Sequence, residues 1–308
     1  MKRITTRFLL IALLGLLPGC SIKRLAVNKL GDALAGSGTT FSSDNDPELI
    51  RDAVPFSLKL MESLLAESPD HRGLLTATAS GFTQYAYAFV QQEADELRET
   101  DLQRSRELQA RAKKLYLRAR DYGLRGLATS SKKFQEAFAA DAATAVAPLE
   151  KEDVPLLYWT AAAWVAAVAA DKTDSYLISD LPKIDALLTR ALALDEDFDR
   201  GAIMSLMITY ETVRQGAEGD PYERARRRYE RAVELSGGTQ AGPHVSFAEA
   251  VCIPTEDRAE FLRLLDAALA VDTDSAPESR LANLIMQDRA RWLKARVDDY
   301  FLPPLDEE

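Results

Sequence analysis

Two histidines, His71 and His244, and two cysteines, Cys20 and Cys252, are the only side chains in 308 residues that could act as near-neutral bases or thiolate ligands. A structural zinc site takes three or four N/S ligands and would need nearly all of them, drawn from distant points of the chain. A Ser-His-Asp triad could use only one histidine at a time, and no Gly-x-Ser-x-Gly elbow is present. His71 lies in the turn Ser68-Pro69-Asp70-His71, where a solvated ring is expected. His244 opens a helix, and a helix N-terminus disfavours imidazolium, so a packing or capping role is expected there. The Gly-rich segment Ser236–Pro243 lacks the Gly-Lys-Ser/Thr ending of a phosphate-binding loop, and no strand precedes it. It reads as a loop between helices whose glycines take positive φ. No enzyme, no metal and no cofactor are expected.

Charge and aromatic residues carry the remaining chemistry. Lys+Arg total 38 against 48 Asp+Glu, a net charge of −10, which repels phosphate backbones and argues against nucleic acid. Glu249 stands among Phe247, Ala248, Ala250 and Val251, on a helix expected to be buried, and a buried acid needs a partner. Arg280, Arg289 and Arg291 are the candidates, in a structural ion pair rather than a ligand-reading one. Arg224, Arg226, Arg227, Arg228 and Arg231 are matched by Glu223, Glu230 and Glu234 at helical spacing, which reads as a solvated face. Tyr87 lies off the apolar stripe of Phe82, Tyr85 and Phe89. Tyr158 shares a helix with Trp159 and Trp164, and Trp292 closes the last helix. Tyr87, Tyr158, Trp164, Glu249 and Trp292 are the candidates for lining a cleft or channel.

The elements that must position these residues are helices. Leu75, Thr78, Ala79, Phe82, Tyr85, Ala86, Phe89, Val90, Ala94 and Leu97 recur at three- and four-residue steps, marking one long amphipathic helix. Asp46-Pro47-Glu48, Asp180-Leu181-Pro182 and Asp220-Pro221-Tyr222-Glu223 are helix starts, with a capping acid and Pro in the first turn. No alternating β-branched run and no Asn-Gly or Asp-Gly hairpin turn occurs, so the fold class is all-α. Leu156–Ala170 is apolar on nearly every side but short for a membrane span, and is expected to be a helix buried all round.

The helices repeat. Ala112-x3-Tyr116-x2-Ala119 and Ala225-x3-Tyr229-x2-Ala232 align in one register, with weaker copies at Ile184/Leu188/Ala191, Phe261/Leu265/Ala268 and Ser57/Met61/Leu64. Small, large, small on one face lets the second helix of a tetratricopeptide (TPR) hairpin wedge against its neighbours. The spacing is irregular, with an insertion near residues 128–155. A TPR-like helical hairpin solenoid is expected.

The N-terminus reads as an address. Lys2, Arg3 and Arg7 precede a ten-residue apolar run, Phe8–Leu17, too short to span about 30 Å of hydrocarbon but suited to a secretory signal. Leu17-Pro18-Gly19-Cys20 then resembles the lipobox of bacterial lipoproteins, with Cys20 as the lipidated residue. Removal of residues 1–19 discards those three positive charges and no acid, taking the net charge from −10 to −13. Ser21 after Cys20, by resemblance to sorting rules, favours the outer membrane, with the membrane reached by the lipid anchor only. The expected organisation is a signal peptide over 1–19, a lipidated tether over 20–45 containing a short amphipathic helix at Lys23–Leu34, a helical domain over 46–302 and a tail over 303–308. Cys252, left unpaired, is expected to be a small buried hydrophobe.

At this level of detail the chain resembles a known family. The blocks DPELIRDAVPFSLKLMESLLAESPDHRGLL, SGFTQYAYAFVQQEADEL, KKLYLRARDYGLRGL, VPLLYWTAAAW, LTRALALDEDFDRGAI, RAVELSGGTQAGPHVSFAEAV and SRLANLIMQDRARWL, in order and without gaps, are similar to the TatT family. These are the tetratricopeptide T components of tripartite ATP-independent periplasmic (TRAP) transporters. The resemblance covers roughly residues 20 to 302. It implies an exported, lipid-anchored periplasmic protein of stacked TPR-like hairpins, assembling as a homotrimer with a central channel. The implied partner is the periplasmic solute-binding P component, with an apolar small ligand as possible cargo. A second class of function, a general envelope scaffold that organises assembly or peptidoglycan enzymes, stays open on the repeats alone.

Overall fold

A computed structural model of the chain describes residues 20–36 and 38–302. The expected signal peptide over 1–19 and the expected tail over 303–308 lie outside the described residues, and Cys20 begins the first described helix. Every regular element among the described residues is helical.

Two of the three acids expected to start helices do so by accepting N–H groups that the first turn leaves unpaired. Asp46 Oδ1 accepts from Leu49 N–H at 3.0 Å and starts α3 (Pro47–Glu67), which follows α1 (Cys20–Ala35) and the short α2 (Gly38–Ser42). Asp220 accepts from Tyr222 and Glu223 N–H at 2.8 and 2.9 Å. Asp180 occupies its cap position without such a bond and pairs with Lys183 instead, at 2.7 Å.

His71, expected to be solvated, is a cap as well. Its Nδ1 accepts from Leu74 N–H at 3.2 Å, which leaves the ring proton on Nε2 to donate to the Asn28 carbonyl, also at 3.2 Å. It therefore fixes the start of α4 (Arg72–Tyr85) and ties it to α1. Val27 and Leu34 of α1 pack on Met61, Leu65, Leu74 and Leu75, so this segment is docked on α3 and α4. Leu25 and Leu30, expected on the same apolar face, point outward.

Consecutive helices then pair through short loops. α4 runs on through a π-helical stretch, Ala86–Gln91, into Gln92–Glu96, giving the single long helix expected, and packs on α5 (Leu102–Ala128). The insertion holds α6 (Phe134–Ala140) and α7 (Ala142–Val146), which add Phe134, Phe138 and Val146 to the core. α8 (Val154–Ala170) packs on α4, α5 and α10 (Leu181–Leu194), with the short α9 (Ser175–Ser179) between α8 and α10. α11 (Ala202–Glu211) pairs with α12 (Pro221–Ser236). α13 (Gly242–Phe247), extended by a second π-helical stretch at Ala248–Cys252, pairs with α14 (Arg258–Leu269). α15 (Arg280–Lys294) covers the end, followed by the short α16 (Val297–Tyr300). This order of hairpins is compatible with a TPR-like solenoid.

The repeat residues lie where the pattern requires. Ala112, Tyr116 and Ala119 are fully buried, as are Ala225 and Ala232, with Tyr229 9% exposed. Together with the 3-10 turn before it, α8 forms a segment, Lys151–Ala170, long and apolar enough by length and composition alone to cross a membrane, but most of it is buried within the protein. It approaches α5 so closely that a Cβ added at Gly123 would clash with Thr160 Oγ1. At Gly237, with φ +61°, the loop after α12 takes the positive φ expected of it. The stack also returns to its beginning: α15 lies against α2 and α3, and Arg280 Nη1 donates to the Ser43 carbonyl at 2.9 Å.

Candidate functional site

The two π-helical stretches carry two of the expected site residues, Tyr87 in the first and Glu249 in the second. A π stretch inserts a residue into the helical register and re-aims the side chains around it, a distortion common at functional sites. α15 lies across both. Its Arg289 donates through Nη2 and Nε to Glu249 Oε1, at 2.6 and 3.2 Å, and reaches Asp95 Oδ2 at 3.1 Å. The expected partner of Glu249 is therefore Arg289; Arg280 pairs with Asp274 and Arg291 with Asp288. Burial opposes the Arg289 charge, but Glu249 and Asp95 more than offset it and raise its pKa.

One turn to each side on α15, Met286 and Trp292 complete the group. The Tyr87 hydroxyl donates to Met286 Sδ at 3.6 Å, and the Trp292 ring lies under the guanidinium groups of Arg289 and Arg296, at 4.5 and 4.8 Å. Burial, and then the Glu249 charge, push the Tyr87 hydroxyl well above the usual phenol range, so it remains a donor. Gln92 lies beside it. Gln92 Nε2, Arg289 Nη1 and Trp292 Nε1 are buried donors that have no hydrogen-bond partner among the described residues. Tyr87, Glu249 and Trp292 are thus brought together, in a polar cluster that joins the long helix continuing α4 to α15.

Tyr158 and Trp164 lie elsewhere. Tyr158 packs on Trp159 and Phe198, with ring centroids 4.8 and 5.3 Å apart. Asp199 and Arg200 beside it take φ of 45° and 55°, an unusual conformation for residues other than glycine. Burial raises the pKa of the Asp199 carboxyl, and the Asp199 charge in turn adds to the rise that burial gives Tyr158. Arg200 pairs with Glu278 in the 3-10 turn Pro277–Ser279 that precedes α15. Trp164 is a core residue. It is 3% exposed, packed against Phe138 and under Arg120, and has no surface to offer a cleft.

The arginine run of α12 also departs from the expected solvated face. Arg231 does pair with Glu234, at 2.7 Å, but Arg224 and Arg228 turn inward to Glu211, which is fully buried. Burial raises the pKa of this carboxyl, but the hydrogen bonds from Arg224 and Arg228, with the Arg214 charge, hold it below the usual range. His244 is buried and bonded, Nδ1 to the Tyr229 hydroxyl at 3.0 Å, in the packing role expected. Cys252 is buried, which pushes its thiol up to about 12.

The profile of the TRAP transporter T-component family matches residues 43–301. The chain belongs to that family. A protein of Treponema pallidum (strain Nichols), described only as an uncharacterized protein, is 33% identical over 302 residues, covering 92% of this chain and 94% of the relative. As a T component the protein is an accessory part of a transport system, works with a transporter partner and belongs to the cell envelope. The family match spans both π-helical stretches, the Arg289 cluster and the arginine-rich α12.

Proposed function

We propose that this T component docks the solute-binding P component of its TRAP transporter. It acts from the periplasmic side of the outer membrane, held by a lipid on Cys20 and assembled as a homotrimer. The family match over residues 43–301 carries the reading. On this reading a small, largely apolar ligand is held beside Tyr87, the half-buried aromatic residue next to α15. The buried donors of Gln92, Arg289 and Trp292 supply polar contacts once the cluster rearranges around it. The lipidated full-length protein, extracted in mild detergent, is expected to sediment as a trimer and to retain the purified P component. Tyr87→Ala and Tyr158→Ala are expected to weaken retention without unfolding the domain. A strictly monomeric protein that retains no P component at low salt sinks the docking proposal and leaves the envelope scaffold as the better account.

A further inference from the structure

A second site lies on the outer side of the α11–α12 pair. A cavity of about 310 Å³ opens there, lined by five arginines together with Glu196, Glu211 and Met204. That volume is at the small end of ligand pockets, which run to about 1,000 Å³.

Three of the arginines are bonded through two or more nitrogens to acids or carbonyls. Arg224 donates through Nε to Glu211 Oε2 at 2.8 Å and through its terminal nitrogens to the carbonyls of Glu218, Gly219 and Glu211. Arg214 reaches Asp185 at 2.6 Å and Glu211 at 3.5 Å. Arg231 grips Glu196 with two bonds of 3.0 Å and also meets Glu234. The other two arginines are not. Arg228 is anchored by Nε on Glu211 Oε1 at 3.1 Å, but its Nη1 finds only the Met204 sulfur, at 3.7 Å. Arg227, one residue before it, is exposed and makes no ion pair among the described residues. Five guanidinium groups thus meet four carboxylates: Glu211, Glu196, Asp185 and Glu234. One positive charge is left over at the mouth of the cavity, on a protein whose net charge is −10.

One of these two guanidinium groups is held in place. Glu211, with no exposed surface, fixes the Arg228 stem, so little side-chain entropy remains to be lost when the outer nitrogens bind. Guanidinium groups present paired N–H donors matched to the two oxygens of a carboxylate or phosphate, and Met204 adds an apolar wall. A merely solvated face would pair Arg227 and Arg228 with Glu223 and Glu230, and neither acid is bonded to them.

We propose that this cavity binds the oxyanion group of a small solute, a carboxylate or a phosphate, between Arg227 and Arg228. The assignment stands on the α11–α12 geometry and is independent of how the P component docks.

The test titrates the full-length protein with succinate and, separately, with inorganic phosphate by calorimetry, at ionic strength held constant with chloride. Saturable binding at one site per chain is expected for at least one anion, and the stronger of the two identifies the group as carboxylate or phosphate. The exposed Arg227→Ala, which leaves the Glu211 network intact, should weaken that binding about tenfold, and Arg227→Ala/Arg228→Met should abolish it. Arg263→Ala, whose side chain pairs with Glu260 on α14, should leave it unchanged. No saturable heat with either anion, or equal affinity in the Arg227→Ala protein, overturns the proposal.

Discussion

Arg289 on α15 holds Glu249 on the second π-helical stretch at 2.6 Å and, with the same Nη2, reaches Asp95 on the long helix that continues α4 at 3.1 Å. One guanidinium therefore binds the end of the hairpin stack to its beginning. The two kinds of disruption should differ in cost. Glu249→Gln leaves Arg289 its bond to Asp95 and removes an acid that is 27% exposed, so a loss of about 1–2 kcal/mol is expected. Arg289→Met strips Glu249 of its ion pair and leaves Asp95 only its bond to Arg98, at 3.0 Å, so a larger loss, up to about 3–5 kcal/mol, is expected, as for a broken buried pair. Urea unfolding of both variants decides it, and a Glu249→Gln loss as large as that of Arg289→Met would mean that the three-residue link is misread.

Ala232 tests the repeat register. It is fully buried on α12, where its Cα would lie 3.5 Å from a Cβ added at Gly201. No space remains for a larger side chain. Ala232→Leu should cost about 1–3 kcal/mol by overpacking. Arg227→Ala, on the exposed side of the same helix, should stay within about 0.5 kcal/mol of the parent. Thermal melts that fall equally for both would show that α12 faces the wrong way.

The helices and their pairing were legible because their signals are local. Apolar steps of three and four, Asp46 and Asp220 as caps, and the Ala-Tyr-Ala wedges each act within a turn or two of one helix. The π-helical stretches were not, because an inserted residue leaves only a slip in the periodicity. Tyr87 shows the slip. It read as a residue off the stripe of Phe82, Tyr85 and Phe89, and it lies in the π-helical Ala86–Gln91. Arg289 was one of three possible partners for Glu249, and only the way α15 lies across the stack selects it. Asp95 and Glu211 were missed. The local rule matched the α12 arginines to Glu223 and Glu230, which are neighbours in sequence. A carboxylate with no exposed surface has far more to lose by going unpaired than a solvated one, and Glu211 draws in Arg224 and Arg228 for that reason.

The lipid-anchor proposal is tested at Cys20. The sequence Leu17-Pro18-Gly19-Cys20 ends the apolar run expected to be a signal, and the one apolar helix of membrane length among the described residues is mostly buried in the fold. Cys20→Ala should therefore leave a folded protein that moves from the membrane to the soluble fraction. The circular dichroism spectrum and melting temperature of the released protein should match the parent. Continued membrane association in high-salt washes would discredit the anchor.

His244 gives the stability a pH dependence of known sign. Burial, followed by the nearby Arg263 charge, holds its imidazole below the ordinary 6.5, and its Nδ1 is engaged by the Tyr229 hydroxyl. Above pH 6.5 the ring is neutral in both the folded and unfolded chains, and it adds no slope. As the pH falls below 6.5, the unfolded chain takes up a proton that the folded protein refuses, so stability drops until the folded pKa is reached. One proton corresponds to a limiting slope of about 1.4 kcal/mol per pH unit. The free energy of unfolding, measured in urea from pH 8 to 5, should be level at first and then decline below about 6.5. His244→Asn should remove much of that decline while the other histidine, His71, is still present to show what remains. A decline of unchanged slope in the His244→Asn protein would assign the effect to another group.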